Sequence, residues 1–224
     1  MPKPALPLVV LISGSGSNLQ AIIDAIKTKQ LNAEIRAVIS NRADAFGLQR
    51  AEKAGITTHV IDHKEHPDRD SFDQALMQTI DSHQPALVIL AGFMRILTEN
   101  FVNHYQDRLI NIHPSLLPAF RGLNTHQRVL EAGDDKHGVS IHYVTNELDS
   151  GPLVIQAMIN VETSDTADSL ADKIHQQEHL IYPMTIQWLA EERLQCKNRQ
   201  LLFDHQALTS PLIWENNQLK KPDR

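Results

Sequence analysis

A polar pair on a short predicted strand is the sharpest chemical signal in the sequence. Asn111 and His113 lie two residues apart within residues 109–113, and Pro114 ends this run. Side chains two residues apart on a strand share a face, so the amide and the imidazole point the same way. An amide can donate to a developing oxyanion, and an imidazole can move a proton. The alternative is a structural pair that satisfies amides of the following loop.

A single aspartate, Asp149, could orient that histidine, because it lies in a turn just after another predicted strand. A carboxylate beside an imidazole raises the pKa of the ring and fixes its tautomer. A turn aspartate can equally serve as a local Asx-turn residue. The sequence leaves both roles open.

A glycine- and serine-rich loop at residues 13–18 follows the first apolar run and precedes a helical pattern. Glycines let a backbone approach an anion closely, and free amides at a helix N-terminus attract one. A dinucleotide fingerprint would have a third glycine at Leu19, and the lysine of a nucleotide P-loop is absent. The loop therefore fits a single phosphate better than a pyrophosphate. The alternative is a plain turn with Ser17 or Asn18 as the helix cap.

Histidines are abundant, 12 in all, and most are predicted to be structural. Three of them lie in or beside a polar loop: His59, His63 and His66. Their spacing would need a helix to form a metal site, and Pro67 argues against one, so no metal is expected there. His175 and His179 are four residues apart on a predicted helix, but no third ligand is evident. His137 and His142 fall in or near a strand predicted to be exposed.

Short apolar runs alternate with amphipathic ones along the chain, which predicts an α/β fold with a mostly parallel sheet and helices on both faces. Strands are predicted near residues 6–12, 35–39, 57–61, 86–90, 109–113, 138–145 and 153–161. A long helix is predicted over 165–192, with a bend near Pro183. Residues 201–214 are expected to form a hairpin or edge strands, and 218–224 to fray. We expect one domain over 1–224, with a core at 6–195 and a tail at 196–224.

Composition limits the partners that can be expected. The chain has 27 acidic and 21 basic residues, a net charge of −6, which disfavours broad nucleic-acid binding. The apolar run at 6–12 is far shorter than the roughly 20 residues of a membrane-spanning helix. The single cysteine, Cys196, excludes an internal disulfide and predicts a reducing, cytoplasmic location. We expect small-molecule substrates, no nucleic acid or membrane as partner, and a monomer or homodimer.

Five segments taken together resemble a known family. They are ISGSGSNL (12–19), LAGFMRIL (90–97), NIHPSLLP (111–118), GVSIHYVTNELDSG (138–151) and QEHLIYP (177–183). On these motifs the sequence resembles the phosphoribosylglycinamide formyltransferases, folate-dependent enzymes of purine synthesis. The resemblance implies a Rossmann-like formyltransferase fold, with a mostly parallel seven-stranded sheet that includes an antiparallel strand at one end. It also implies formyl transfer from 10-formyltetrahydrofolate to the amine of N1-(5-phospho-D-ribosyl)glycinamide, without a metal.

The resemblance also implies roles for individual residues. The implied catalytic set is Asn111, His113 and Asp149. The residues implied to bind the acceptor are Gly16, Ser17 and Asn18 at its phosphate and Glu178 at its ribose hydroxyls. The residues implied to bind the folate are Arg69, Met94, Arg95, Ile96, Leu97, Asn111, Thr145, Asn146, Glu147, Leu148 and Asp149.

Three alternatives share these catalytic or binding features. Formyltetrahydrofolate deformylase hydrolyses the same donor, but it carries an extra N-terminal regulatory domain, and the first predicted strand here starts at residue 6. Methionyl-tRNA formyltransferase carries a C-terminal domain for tRNA, whereas this chain is acidic and short beyond its long helix. A silent folate- or phosphate-binding module would not need Asn111, His113 and Asp149 together.

Overall fold

The computed structural model describes residues 3–221, and strands and helices alternate along most of them. The strands are β1 (Leu6–Ile12), β2 (Ala33–Ser40), β3 (Thr58–Val60), β4 (Leu87–Leu90), β5 (Leu109–His113), β6 (Lys136–Tyr143), β7 (Leu153–Asn160), β8 (Leu194–Lys197), β9 (Gln200–Phe203), β10 (Gln206–Ala207), β11 (Leu212–Glu215) and β12 (Gln218–Lys220). The helices are α1 (Ser17–Lys27), α2 (Phe46–Lys53), α3 (Arg69–Ser82), α4 (Glu99–His104), α5 (Thr125–Ala132) and α6 (Ala167–Ala190).

The central sheet has nine strands in the order β12-β11-β7-β6-β5-β4-β1-β2-β3. The neighbours from β3 to β5 run parallel, as the alternating pattern predicts. Strand β6 is antiparallel to both β5 and β7. The prediction of seven strands is wrong in number, because β11 adds to β7 in parallel and β12 pairs with β11 as a hairpin.

The tail therefore contributes to the fold. The expected hairpin or edge strands at 201–214 correspond to β9, β10 and β11, while β8, β9 and β10 form a separate three-stranded antiparallel sheet. The prediction that 218–224 fray is wrong for Gln218–Lys220, which form β12. Residues 222–224 lie outside the described part of the chain.

Strand β1 explains why its sequence is apolar at every position. Leu8, Val10 and Ile12 pack into one cluster with the inner faces of α1 and α6. Val9 and Leu11 face the other side, in a second cluster with apolar residues of α3 and α4. Successive side chains on a strand point to opposite faces, so a strand covered on both sides needs no polar face.

Helix α6 is the longest element and lies over one face of the sheet. It begins at a capping box, in which Thr166 and Ser169 satisfy each other's backbone amides. It continues through Pro183 to Ala190, so the proline does not end it. The buried Tyr182 hydroxyl donates to the Leu90 carbonyl at 2.9 Å, which fixes α6 against the end of β4. Within residues 3–221, none of the helices combines the length and hydropathy needed to cross a bilayer.

Candidate active site

The C-terminal end of β5 brings the three predicted catalytic side chains together. His113 Nδ1 lies 3.5 Å from Asp149 Oδ2, and both side chains are buried. Asn111 lies on the same strand and donates through Nδ2 to His142 Nε2 at 3.2 Å. His142 Nε2 is in turn 3.7 Å from Asp149 Oδ1. The four side chains form one connected cluster at the strand end, where open α/β sheets bind ligands.

His142 is the member of this cluster that sequence reasoning missed. Antiparallel pairing sets His142 opposite Asn111, and a one-residue slip would turn its ring to the other face. The prediction of an exposed strand is wrong, since His142 is 2% and His137 1% exposed. The missing signal was the pairing of β6 with β5, which a sequence pattern alone does not give.

The hydrogen bonds of His142 fix its tautomer. Burial lowers the pKa of His142, although the Tyr143 carbonyl and the Asp149 carboxylate oppose this effect. The neutral ring donates from Nδ1 to the Tyr143 carbonyl at 3.0 Å, so Nε2 is the acceptor for Asn111. His142 therefore orients the Asn111 amide by accepting one of the two hydrogens on Asn111 Nδ2.

Two loops close over His113. Its Nε2 donates to the Phe120 carbonyl at 3.0 Å, while its Nδ1 faces Asp149. Both partners are acceptors, so a ring with hydrogens on both nitrogens satisfies them together. Asp149 has a φ of 48° and also accepts the Gly122 amide at 2.9 Å, which joins the turn of β6–β7 to the loop after β5.

The glycine-rich loop leads into the N-terminus of α1 in an unusual way. Gly16 has a φ of 69°, and a Cβ added to it would lie 2.6 Å from the Gly47 Cα, so only glycine fits. The alternative of a plain turn capped by Ser17 or Asn18 is not what the structure has, because Gly16 is the cap residue and no side chain caps the helix. The amides of the first turn have no partner within the helix and remain available to an anion.

The side chain of Asn18, in the first turn of α1, contacts Glu178 on α6. Its Nδ2 donates to Glu178 Oε2 at 2.8 Å, across the packed surfaces of α1 and α6, and both side chains are buried. Burial raises the pKa of Glu178, against the opposing effects of the Asn18 hydrogen bond and the nearby charge of His175. The structure thus brings together Asn18 and Glu178, which the family resemblance assigns to one substrate.

The predicted folate residues lie on two loops, at one helix start and, in the case of Asn111, on β5. Met94 and Ile96 are exposed apolar side chains on the segment after β4, and Leu148 is exposed in the turn after β6. Asn146 donates to Glu99 at 3.2 Å, so that turn contacts the helix that follows the segment. Arg69 is exposed at the start of α3, and Arg95 and Leu97 are half-buried on the segment after β4. In the turn after β6, the Thr145 hydroxyl donates to the Glu147 carbonyl.

The remaining histidines make contacts of other kinds. His59 and His83 face each other through Nε2 atoms 2.8 Å apart. The rings of His175 and His179 are parallel, with centroids 6.2 Å apart. Among residues 3–221, no three metal-ligating side chains come together as a candidate metal centre.

Comparison with known proteins identifies the family. A family model described as formyl transferase matches residues 6–186. The chain belongs to the formyl transferase family. This formyl transferase is 51% identical over 201 residues to phosphoribosylglycinamide formyltransferase of Escherichia coli (strain K12), a match that covers 90% of this chain and 95% of that protein. The protein of the same name from Haemophilus influenzae is 42% identical over the same shares.

Solved structures agree with this family assignment. Phosphoribosylglycinamide formyltransferase from Coxiella burnetii, solved in complex with CHES, matches this formyl transferase with a TM-score of 0.89 and 54% identity. That match covers 92% of this chain and 99% of the other. The resemblance seen in the sequence motifs and the α/β fold are therefore confirmed.

Proposed function

We propose that this formyl transferase moves the formyl group of 10-formyltetrahydrofolate to the amine of N1-(5-phospho-D-ribosyl)glycinamide, in de novo purine (IMP) synthesis. The observation that carries the proposal is the connected cluster of Asn111, His113, His142 and Asp149 at the end of β5. The extensive similarity to proteins named for this reaction supports the same conclusion.

The cluster accounts for the chemistry of the transfer. The acceptor amine attacks the formyl carbon, and the carbonyl oxygen becomes an oxyanion. The Asn111 hydrogen that His142 leaves free donates to that oxyanion, and His113 adds a positive charge beside it. The bond from carbon to the folate nitrogen then breaks, and the proton lost by the amine ends on that nitrogen. Asp149, whose carboxylate faces His113 Nδ1 at 3.5 Å, orients the ring.

The acceptor occupies the side of the cluster near α1. Gly16, Ser17 and Asn18 hold its phosphate through the free amides of the first helical turn. Glu178, held by Asn18, accepts from the ribose hydroxyls. Binding at these groups would hold the amine in line with the formyl carbon, which is a large part of the rate enhancement in reactions of this type.

The formyl donor occupies the other side. Its pterin lies against the segment Met94, Arg95, Ile96 and Leu97 and the turn Thr145, Asn146, Glu147, Leu148 and Asp149. Arg69 faces the anionic tail of the folate. No metal takes part in this proposal, and the partners are the small-molecule substrates. Residues 6–195 form the catalytic core, with 196–224 as the tail of the same domain, and the location is the cytoplasm.

A labelled donor tests the proposal, because transfer and hydrolysis use the same catalytic residues. With formyl-labelled 10-formyltetrahydrofolate, protein and acceptor, nearly all label should appear on the acceptor amine. Without acceptor, formate release should be minor, since water has no phosphate to hold it in line. Rapid formate production that does not need the acceptor would contradict the proposal and favour a deformylase.

A further inference from the structure

The segment of residues 94–97 has no helix or strand, yet buried side chains hold it at both ends. At one end, the Met94 amide donates to Ser13 Oγ at 2.8 Å. At the other end, the Thr98 amide donates to Asp73 Oδ2 at 2.6 Å. None of the amides of residues 95–97 pairs with another described residue, so the backbone between the two anchors is free to bind a ligand.

Ser13 is a well-defined anchor. It is buried at the end of β1, and its hydroxyl hydrogen is used in a bond to Asn41 Oδ1 at 2.5 Å. A lone pair of the oxygen is therefore left to accept the Met94 amide. This fixes the first residue of the segment directly beside the glycine-rich loop.

Asp73 is an anchor that folding alone does not explain. It is 1% exposed on α3, between the core residues Phe72 and Leu76. Burial raises its pKa, and hydrogen bonding to Thr98 opposes the rise. Its second oxygen, Oδ1, is buried and has no partner among residues 3–221. Burying a carboxylate with an unpaired oxygen disfavours folding, so a role outside stability would account for this residue.

We propose that Asp73 is a positioning residue for the formyl donor. By holding the Thr98 amide, it sets the path of the 94–97 backbone, whose free amides and carbonyls bind the hydrogen-bonding edge of a pterin ring. This inference rests on the proposed function, which assigns the segment to the donor. The simpler alternative is structural, because Thr98 is also the N-cap of α4 and accepts the Phe101 amide at 3.4 Å.

Three variants separate the two roles. Asp73→Ala removes the anchor, and we expect the KM for 10-formyltetrahydrofolate to rise at least about tenfold, the size of one charge-assisted hydrogen bond. The KM for the acceptor should stay within about twofold. Asp73→Asn keeps an oxygen that accepts the Thr98 amide, so it should restore donor KM to within about threefold of wild type. Asp81→Ala is the matched control.

Asp81 is a suitable control because it also joins α3 to α4. It accepts from His104 Nε2 at 2.8 Å and from the Tyr105 hydroxyl at 2.9 Å, at the opposite end of α4 from Thr98. Asp81→Ala should lower the thermal midpoint and leave the donor KM unchanged. If Asp73→Ala does not fold, Asp73→Leu replaces it, because leucine keeps the volume and suits the apolar surroundings.

Calorimetry with tetrahydrofolate gives a second measurement that does not depend on turnover. Weaker tetrahydrofolate binding in Asp73→Ala or Asp73→Leu, with rescue in Asp73→Asn, supports the inference. Unchanged tetrahydrofolate affinity in Asp73→Ala and Asp73→Leu overturns the inference. A loss of tetrahydrofolate affinity in Asp81→Ala equal to that in Asp73→Ala overturns it too. A wild-type chain that binds tetrahydrofolate but transfers no formyl group from 10-formyltetrahydrofolate to the acceptor contradicts the proposed function alone. A wild-type chain that binds no tetrahydrofolate contradicts both.

Discussion

At the scale of single residues, Asn111 shows how a neighbour can orient the amide of a proposed catalytic group. One of its two amide hydrogens is bonded to His142, whose own tautomer is fixed by the Tyr143 carbonyl. The other hydrogen is left for the substrate in one orientation only. An amide oriented before the reaction needs no reorganisation when the oxyanion forms, and this is the main source of electrostatic catalysis.

Removing members of this cluster should therefore lower turnover without unfolding the protein. Losing one oxyanion donor typically costs ~10²–10³ in turnover, so Asn111→Ala should lose at least that much. Asp149→Ala should lose a similar amount, because His113 loses its carboxylate partner. Steady-state kinetics and a thermal melt measure the two effects separately. Asn160→Ala, in an exposed position at the end of β7, is the control. Turnover near wild type in either cluster variant would contradict the assignment.

At the scale of elements, the start of α1 depends on a close approach between two glycines. Gly16 lies against Gly47 at the start of α2, with a positive φ that a side chain would strain. We expect Gly16→Val to weaken binding of the phosphorylated acceptor far more than binding of folate, because the valine would displace the amides proposed to bind the phosphate. Calorimetry with each ligand measures this difference.

The control for this experiment is Gly55→Val. Gly55 has a φ of 72°, so valine brings similar backbone strain, but no atom lies within 4 Å of an added Cβ. This variant should lose stability and keep its affinity for the acceptor. Equal loss of both ligands in Gly16→Val would instead indicate a generally disrupted loop.

The elements also show which features a sequence can reveal. Strands β1 to β7 and helix α6 follow from apolar runs and helical spacing, which are local patterns. The contacts of His142, Asp73 and Asn18 do not, because each depends on which element packs beside another. Strand β11 was missed as part of the central sheet for the same reason, since its parallel pairing with β7 joins residues far apart in sequence.

At the scale of the whole molecule, buried neutral histidines link stability to pH. Burial lowers the pKa of His137 to about 4, and it also lowers the pKa of His126, with which His137 shares a hydrogen bond of 2.9 Å between ring nitrogens. The pKa of His83 and of His142 is lowered as well, in each case chiefly by burial. The unfolded chain, with ordinary histidine pKa values near 6.5, binds these protons more readily than the folded chain.

The folded state should therefore lose stability as the pH falls below about 6.5. A group whose pKa is depressed on folding makes the unfolded state take up the extra proton, so the free energy of unfolding falls with pH between the unfolded and folded pKa values. For His137 this window runs from about 6.5 down to about 4. At pH 5.5 its share is about 1.4 kcal/mol, one pKa unit of linkage.

Denaturant unfolding at pH 7.5 and at pH 5.5 measures this loss. His137→Leu puts an apolar side chain of similar size, which cannot be protonated, into the buried site. The fall in its unfolding free energy from pH 7.5 to pH 5.5 should therefore be about 1.4 kcal/mol smaller than in wild type. The control is His205→Gln, at an exposed turn between β9 and β10, which should keep the wild-type difference. If His137→Leu shows the same pH dependence as wild type, protonation of His137 does not contribute, and the acid sensitivity must come from the other buried histidines.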